Sequence, residues 1–579
     1  PPRRRQRLPR AKNKNNPLTA SLTMTNLQLP ETTANGQARA AALDPGLRPD
    51  VTPASTVEFL SHGRVLIVGE ESGALYAAQQ LDDDLVATVC VPGDTRPTSG
   101  TVGGLVIVRG GQPQLSGSLG NFTLSFPATG DGGDPEAIAN LEEARFDLVL
   151  DLNKSPLLSR EVLPPGYFAP GRDAYALEQA IAELADMRGE FEKPKYFNFD
   201  PDICAHGRRG VSGCTRCLDV CPTVAITSNG DSVQVDANLC QGFGSCASVC
   251  PTGAITYAFP GTTDLLAYLR TVAMNYREHG GADPVFVFYD SSSAGALADE
   301  LAGDMPENAL PVELEEVGSA GMDTWFTCFA YGARRVLVLA APDTPGSIIG
   351  ALERQIDVTA RILEGMGYAG GAVALLRTDG DETVTRAVSS DEAIQTRRPA
   401  TFAPPSEKRL LLRTAINHLF KEAPASRKAI SLPAGAPFGQ IRVDKSACTM
   451  CMSCVAVCPT AALREGQGLP QLNFSEWSCI QCGLCETACP EDAIKTEPRF
   501  LYDDKERSES RLLHEEQPMC CISCGKPFAT RSALKAMMKK LEGHWMFQSE
   551  AERRRLEMCD TCRVKDMMRA QGEGDSGSA

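Results

Sequence analysis

The sequence predicts a multidomain protein of the α/β and α+β classes, with two cysteine-rich α+β modules, two α/β domains and a C-terminal helical domain. Three observations predict it. The chain of 579 residues is too long for one hydrophobic core. Of its 22 cysteines, 19 fall into separate groups with metal-ligand spacing. Between those groups, short apolar runs typical of buried strands alternate with amphipathic helical patterns.

The chain begins with a basic segment. Residues 1–23 carry seven Lys or Arg and no acidic residue, and they lack the apolar stretch of a secretory signal. Residues 1–50 are poor in apolar side chains, so we expect this segment to be disordered. Met24 is the first methionine, and we expect residues 1–23 to be an upstream translation artefact.

Residues 51–195 are predicted to form the first α/β domain. Strands are predicted at 64–69, 85–91 and 145–152, and helices at 72–81 and 173–188. The glycine-rich stretch 100–126 alternates apolar and small residues, which favours antiparallel strands or bulges.

The turn after the first of these strands is the one candidate site for a dinucleotide phosphate. It runs from Gly69 to Gly73 as G-x3-G, not G-x-G-x-x-G, and Glu70 and Glu71 would repel phosphate. A tight turn with close helix packing is therefore the favoured interpretation. The alternative leads to an oxidoreductase with its own flavin or nicotinamide site in this domain.

Residues 437–500 carry the most specific pattern, C-x2-C-x2-C-x3-C-P, twice. Three thiolates at this spacing converge on one iron–sulfur cube, and the fourth cysteine of each run reaches the other cube. The stretch resembles bacterial two-cluster ferredoxins. That resemblance assigns one [4Fe–4S] cluster to Cys448, Cys451, Cys454 and Cys489, and the other to Cys479, Cys482, Cys485 and Cys458.

The segment that follows each Cys-Pro pair recurs four times, as CPTVAI at 221, CPTGAI at 250, CPTAAL at 458 and CPEDAI at 489. Four copies predict two ferredoxin-like dicluster modules, residues 196–260 and 437–500. Each copy is expected to form a short helical turn that leads into a strand. Its alanine and aliphatic side chain should then shield a cluster from water.

The first module departs from the pattern in its first run. Nine residues separate Cys204 from Cys214, and this insertion, AHGRRGVSG, is predicted to be a flexible basic loop. We interpret Cys204 as the displaced first ligand, the alternative being a free cysteine. His206 is nearby and could be a ligand, but we favour a solvated loop histidine. One cube is thus assigned Cys204, Cys214, Cys217 and Cys250.

The second run of the first module lacks a cysteine. Phe243 stands where the ferredoxin spacing requires one, so this site has only Cys221, Cys240 and Cys246. Three thiolates suit a [3Fe–4S] cluster, or a [4Fe–4S] cluster with a labile iron. The alternative is an empty site filled by the phenylalanine. The sequence therefore predicts three [4Fe–4S] clusters and a [3Fe–4S] candidate.

Residues 261–400 are predicted to form the second α/β domain. Strands are predicted at 284–290, 310–317, 334–341 and 373–377, and helices at 322–333 and 349–366. The segment VGSAGMDTWFTCFAYGARRVLVLAA, residues 317–341, resembles the delta subunit of methyl-viologen-reducing hydrogenase. That family passes electrons between a hydrogenase and a heterodisulfide reductase through a [2Fe–2S] centre.

The cysteines of that family are missing here. In their places the chain has residues 289–293, Ser319 and Ala341. Only Cys328 remains, in the middle of a predicted helix, where a buried free thiol is expected. We infer that the domain keeps the fold without the cluster and acts as a docking domain.

Residues 401–436 are predicted to be a linker with an amphipathic helix at 409–423. The domain 501–572 follows, and 573–579 are expected to be a disordered tail. Cys521, Cys524, Cys559 and Cys562 form two C-x2-C pairs, which predict a structural zinc site. Another iron–sulfur cluster is the alternative. Cys520 is out of register, and the methionines of this domain are expected to pack as helix core.

Charge and hydropathy limit the classes of partner that the protein is expected to bind. The net charge of −16 argues against nucleic acid and suits docking on basic patches of redox partners. The alternative is a solvated acidic surface that only aids solubility. The sequence has no apolar run long enough to span a bilayer. Thiolate-bound clusters require a reducing compartment, so we expect a cytoplasmic protein.

These features favour a non-catalytic electron-transfer protein that relays electrons between redox partner proteins. The layout resembles the iron–sulfur proteins that accompany bacterial formate dehydrogenases or hydrogenase-type reductases. A scaffold or maturation factor with structural clusters is a further alternative.

Overall fold

The computed structural model describes residues 6–7, 29–48, 55–126, 144–303, 305–396 and 398–574. The expectations for residues 1–23 and for the tail 573–579 lie almost entirely outside these residues. The expectation of disorder up to residue 50 is wrong for residues 29–48. They contain the helix Ala34–Ala42, whose Ala38 and Ala42 are buried against the second α/β unit. Thr33 caps this helix by accepting the Gly36 N–H at 3.2 Å.

The first α/β unit is built on a six-stranded sheet. Its spatial order is Tyr167–Phe168, Leu148–Asp151, Arg64–Val68, Val86–Val91, Leu105–Gly111 and Gly93–Val102. All neighbours are parallel except the last pair, which is antiparallel. A further antiparallel pair, Gln114–Ser116 with Thr123–Ser125, confirms the prediction for the glycine-rich stretch.

Both faces of this sheet are buried, which explains the continuous apolar run of its central strand. Val65 and Ile67 face one core, and Leu66 and Val68 face another, because successive side chains of a strand alternate. The helices Glu71–Gln79 and Ala174–Asp186 cover the first face. A small sheet beside this unit contains Gln6–Arg7, Gly189–Pro194 and Thr56–Ser61.

The second α/β unit has a four-stranded, all-parallel sheet in the order Ala309–Glu313, Val285–Tyr289, Arg335–Ala340 and Val373–Arg377. Its helices are Thr262–Glu278, Ala294–Leu301, Met322–Ala330, Gly346–Gly365 and Val384–Val388. Every residue of Met322–Ala330 is buried, including Cys328. The helix Lys408–Lys421, predicted as part of a linker, packs against Met322–Ala330 and contributes Leu411, Leu412 and Ala415 to the same core.

The two cysteine-rich modules share one topology. In the first, Phe197–Phe199 pairs with Ile255–Tyr257 and Ile226–Asn229 pairs with Ser232–Val235, with helices Arg216–Asp219 and Ser245–Val249. In the second, Gly439–Val443 pairs with Ile494–Leu501 and Leu463–Glu465 pairs with Gln471–Phe474, with helices Ser453–Ala456 and Leu484–Thr487. A strand begins at the last residue of each repeated segment, Ile226, Ile255, Leu463 and Ile494, as predicted.

The remaining elements attach to the second module and the C-terminal end. They are the strands Ala429–Ser431, Arg511–Glu515, Pro518–Cys520 and Pro527–Thr530 and the helices Asp504–Ser508, Arg531–Lys540, Glu550–Leu556 and Asp560–Gly574. Short 3-10 helices lie at Pro45–Leu47, Pro201–Ile203, Val317–Ser319, Gly370–Ala372 and Trp545–Phe547. A hairpin of Gly207–Arg208 and Val211–Ser212 lies in the insertion of the first module. Among the described residues, no helix combines the length and apolar character that crossing a bilayer requires.

Candidate metal centres

The structure brings the module cysteines together in four groups, which we name sites A to D. Site A contains Cys221, Cys240 and Cys246; site B contains Cys204, Cys214, Cys217 and Cys250; site C contains Cys458, Cys479, Cys482 and Cys485; site D contains Cys448, Cys451, Cys454 and Cys489. These are the groups that the sequence predicts. Sites C and D each surround a cavity, of about 350 and 330 Å³ respectively.

Backbone shape explains how three cysteines of one run converge. The second and fourth residues after the first cysteine have positive φ, at Met450 and Met452 in site D and at Gln481 and Gly483 in site C. These left-handed residues curl the loop so that the intervening Cys451 and Cys482 line the cavities. Non-glycine residues seldom adopt this conformation, so the loop is held in a strained shape that suits a ligand.

The Cys-Pro turns have a second shared feature. The third residue after each of these cysteines has positive φ: Val224, Gly253, Ala461 and Asp492. The next amide then points back at the sulfur, and Ala225 and Ala493 donate N–H bonds to the Sγ atoms of Cys221 and Cys489 at 3.3 Å. Hydrogen bonds to cluster-ligating sulfur stabilise negative charge and raise the reduction potential.

Burial makes the ligand thiols reluctant to ionise without a metal. Desolvation is the largest cause that raises the pKa of both Cys454 and Cys482 to about 12, and neighbouring thiolates add to it. Cluster assembly must therefore displace protons, and the metal must supply the charge that stabilises the thiolates.

In site B the displaced Cys204 lies with the other three cysteines. Burial raises the pKa of Cys217, and the thiolates of Cys250, Cys214 and Cys204 raise it further. The structure thus favours the interpretation of Cys204 as a ligand over that of a free cysteine.

Two expectations about the inserted loop are wrong. The loop forms the hairpin of Gly207–Arg208 and Val211–Ser212 instead of a flexible excursion. His206 is buried. Its Nδ1 pairs with the Cys214 carbonyl at 2.9 Å, and its Nε2 pairs with the Ser228 hydroxyl at 2.7 Å. With both ring nitrogens engaged, His206 positions the backbone of Cys214 instead of binding a metal.

Site A keeps the ligand loop although one ligand is replaced. Gly242 and Gly244 have the positive φ values found after the first cysteine in sites C and D. Phe243 therefore occupies the position of Cys451 and Cys482. Phe243 lines a cavity together with Cys221, Cys240 and Cys246, so open space remains beside the ring at site A. The residues fit a cluster that has three thiolate ligands.

The four sites follow one another in the order A, B, C, D. The Cys217 and Cys250 thiolates of site B contribute to the raised pKa of Cys246 in site A. Cys214 of site B contributes to that of Cys482 in site C, and Cys454 of site D to that of Cys485. In each case burial is the largest cause. The two modules therefore adjoin through sites B and C.

Arg216 lies at this junction. Its guanidinium donates to the Ile480 carbonyl at 3.2 Å and to the Gly435 carbonyl at 3.2 Å, and one Nη lies 4.0 Å from Cys214 Sγ. A fixed cation here stabilises the extra negative charge of a reduced cluster in either site. This role of Arg216 is not evident from the sequence, although the residue stands two positions after the predicted ligand Cys214.

A second cation, Arg409, borders site C and is buried. The Arg409 guanidinium lies 5.0 Å from the Phe438 ring centre and 4.6 Å from that of Trp477, and it donates to the Cys479 carbonyl at 3.3 Å. Burial lowers the pKa of Arg409 to about 10. Site D differs, because the Glu516 carboxylate adds to the pKa increase that burial causes at Cys448. The charges thus favour reduction of site C over site D.

The second α/β unit contacts the loop and the short helix that carry site A cysteines. Lys408 donates to the carbonyls of Ala247 and Ser248 at 2.8 and 2.7 Å, and the Gln355 amide donates to the Ser248 hydroxyl at 3.3 Å. A Cβ on Gly244 would lie 2.5 Å from the Ser319 Cβ, so the ligand loop lies directly on residues 317–319. Nearby, the Asp290 carboxylate accepts the Ser292 and Ser293 N–H groups.

The turn from Gly69 to Gly73, the candidate site for a dinucleotide phosphate, contains an ion pair within the protein. Glu71 pairs with Arg109, with an Oε1–Nη2 distance of 2.6 Å, and a Cβ on Gly69 would lie 2.8 Å from the Leu152 Cβ. The turn thus packs tightly, as the favoured interpretation predicted, and a carboxylate occupies the first turn of the helix.

The C-terminal cysteines form a compact tetrad. The Sγ atoms of Cys521, Cys524, Cys559 and Cys562 all lie within 4.8 Å of one another, and those of Cys524 and Cys559 are 3.8 Å apart. Four sulfurs at ~2.3 Å around a zinc ion would be ~3.8 Å apart. The sulfurs of an iron–sulfur cube lie farther apart because each binds a different iron. The tetrad therefore fits one tetrahedral metal ion.

Comparison with known families supports these assignments. Residues 440–490 match a 4Fe–4S dicluster domain, and residues 211–259 match an LdpA Fe–S cluster-binding domain. No curated protein matches the chain. One match lies within each of the two modules, so the chain is an iron–sulfur protein whose domains indicate electron transfer.

The Phe243 position tests the assignment of site A. We predict that the loaded full-length protein shows a [3Fe–4S]⁺ EPR signal after air oxidation, because one iron lacks a protein ligand. Phe243→Cys should abolish the signal and raise the iron content by about one per chain. Phe243→Ser, which removes the ring without adding a thiol, should keep the signal. A wild-type protein without the signal, and with iron unchanged in Phe243→Cys, would contradict the assignment.

The tetrad makes a separate prediction. A Cys559→Ser, Cys562→Ser double variant should lose one zinc per chain, because two of four ligands are gone, while the iron content stays the same. The C-terminal domain should then become sensitive to limited proteolysis. Cys520→Ser is the matched control and should retain zinc. Loss of iron and of visible absorption in the double variant would show a cluster instead.

Proposed function

We propose that the protein relays electrons one at a time along a row of four clusters, with [4Fe–4S] clusters in sites B, C and D and a three-iron cluster in site A. The observation that carries this proposal is the close approach of the two modules beside sites B and C, where Arg216 of the first module donates to the Ile480 carbonyl of the second. Two separate ferredoxin modules would each exchange electrons independently, whereas a shared junction makes them one path. The clusters supply the one-electron chemistry, and the protein supplies their spacing and their charge environment.

The second α/β unit serves this path as a docking domain. The unit contacts the segment that carries the site A ligands through Lys408, Gln355 and residues 317–319. A protein that binds this unit therefore lies next to site A, at the end of the row of clusters. The resemblance to the hydrogenase delta subunit supports a hydrogenase-type partner system at this end. The layout of the whole chain supports a formate dehydrogenase-type system as well. We also propose that the tetrad holds structural zinc and that the protein works in the reducing cytoplasm.

Arg216 allows a test of the junction. We predict that Arg216→Gln lowers the midpoint potentials of the clusters in sites B and C by about 40–90 mV, since a nearby unit charge contributes roughly 1–2 kcal/mol. An EPR-monitored redox titration measures this shift. The exposed Arg354→Gln is the control and should leave all potentials in place. If Arg216→Gln changes neither potential, or only one of the two, the proposed junction is wrong.

A further inference from the structure

The C-terminal lobe, residues 517–570, differs in charge from the rest of the protein. It contains eleven Lys or Arg and six Asp or Glu, although the whole chain has a net charge of −16. A zinc ion with four thiolates would carry two negative charges, and the lobe would still be positive. The acidic character inferred from the whole sequence therefore does not apply to this surface.

The same lobe exposes apolar side chains on one helix face. Val564, Met567 and Met568 are 51, 46 and 67% exposed, and their i, i+3, i+4 spacing places them side by side on the helix Asp560–Gly574. This corrects the expectation that Met567 and Met568 form helix core. Lys565 and Arg569 are both exposed and lie on the neighbouring side of the same helix. Exposed apolar side chains bordered by charge mark interaction surfaces.

Methionine is suited to a surface that repeatedly forms short-lived complexes with a partner protein. Its flexible, polarisable side chain adapts to different shapes, and weak redox complexes bury small interfaces. Trp545, 74% exposed, adds an aromatic side chain on the same lobe.

The lobe adjoins site D. The Thr530 hydroxyl donates to the Thr449 carbonyl, between two ligand positions, at 2.8 Å, and Lys540 pairs with Glu491 at 3.0 Å. Cys451 is exposed, whereas the other seven cysteines of the second module are buried or half-buried. Site D is thus the cluster site of this module that is most open to solvent, and the basic lobe lies beside it.

We propose that this face of the lobe docks an acidic one-electron carrier protein, which exchanges electrons with the cluster in site D. The proposal rests on the relay function. In the exchange, the carrier is oxidised by one electron and one [4Fe–4S]²⁺ core is reduced to [4Fe–4S]⁺; no bond forms or breaks and no proton moves. The cations beside site C then draw the electron inward, away from the carboxylate beside site D.

A charge-reversal experiment tests the docking. Stopped-flow mixing of the loaded full-length protein with reduced flavodoxin, an acidic flavoprotein carrier, gives the second-order rate constant for cluster reduction. A Lys565→Glu, Arg569→Glu variant should react at least about tenfold more slowly, since opposite charges accelerate encounter. A Met567→Ser, Met568→Ser variant should also react more slowly. The control Arg354→Glu, Lys421→Glu makes the same charge change at exposed sites outside the lobe and should match the wild type.

Reduced methyl viologen separates this proposal from the relay itself. The small donor needs no docking surface, so it should reduce the clusters of all variants equally. If it reduces none of them, the relay function fails. If it does, but flavodoxin reduces the lobe variant and the wild type at equal rates, or faster at higher salt, the docking proposal is overturned. It is equally overturned if the lobe variants lose a wild-type dimer in ultracentrifugation, or a wild-type affinity for DNA, while the flavodoxin rates stay the same.

Discussion

The close approach of Gly213 and Leu484 is the constraint on which the electron path depends. A Cβ on Gly213 would lie 2.5 Å from the Leu484 Cγ, so a side chain at this position would push the inserted hairpin away from the helix Leu484–Thr487. Electron transfer between clusters weakens steeply with distance. The glycine therefore allows sites B and C to adjoin, and Arg216 fastens the same contact with hydrogen bonds to carbonyls of the second module.

The inserted loop makes this contact between the two modules possible. A regular C-x2-C spacing would give no hairpin at Val211–Ser212 and thus no strand beside Leu484–Thr487. The insertion keeps Cys204 as a neighbour of Cys214 and Cys217, and the buried His206 fixes the loop through the Cys214 carbonyl and Ser228. One departure from the ferredoxin pattern thus joins two modules without giving up a cysteine.

Much of the fold and of the site follows from the sequence, because local rules dominate there. The cysteine spacings gave the four groups, and the repeated Cys-Pro segments gave the starts of four strands, since both depend on neighbouring residues. The contact between the two modules at sites B and C could not be predicted from the sequence. Arg216 and Arg409 meet carbonyls of residues 480 and 479, far away in sequence, and only the tertiary structure brings them there. The helix Lys408–Lys421 was predicted correctly, but its packing into the second α/β unit was not, because periodicity shows an apolar face and not its neighbour.

The row of sites can be tested most directly by removing its second member. Freeze-quench EPR can follow the three-iron signal of site A after mixing with reduced flavodoxin, in the wild type and in a Cys214→Ala, Cys217→Ala variant that lacks the site B cluster. The account predicts that the signal disappears in the wild type together with reduction of sites C and D. In the variant, sites C and D should be reduced while the site A signal persists. Equally fast loss of the site A signal in the variant would show that electrons reach site A without site B, and would contradict the account.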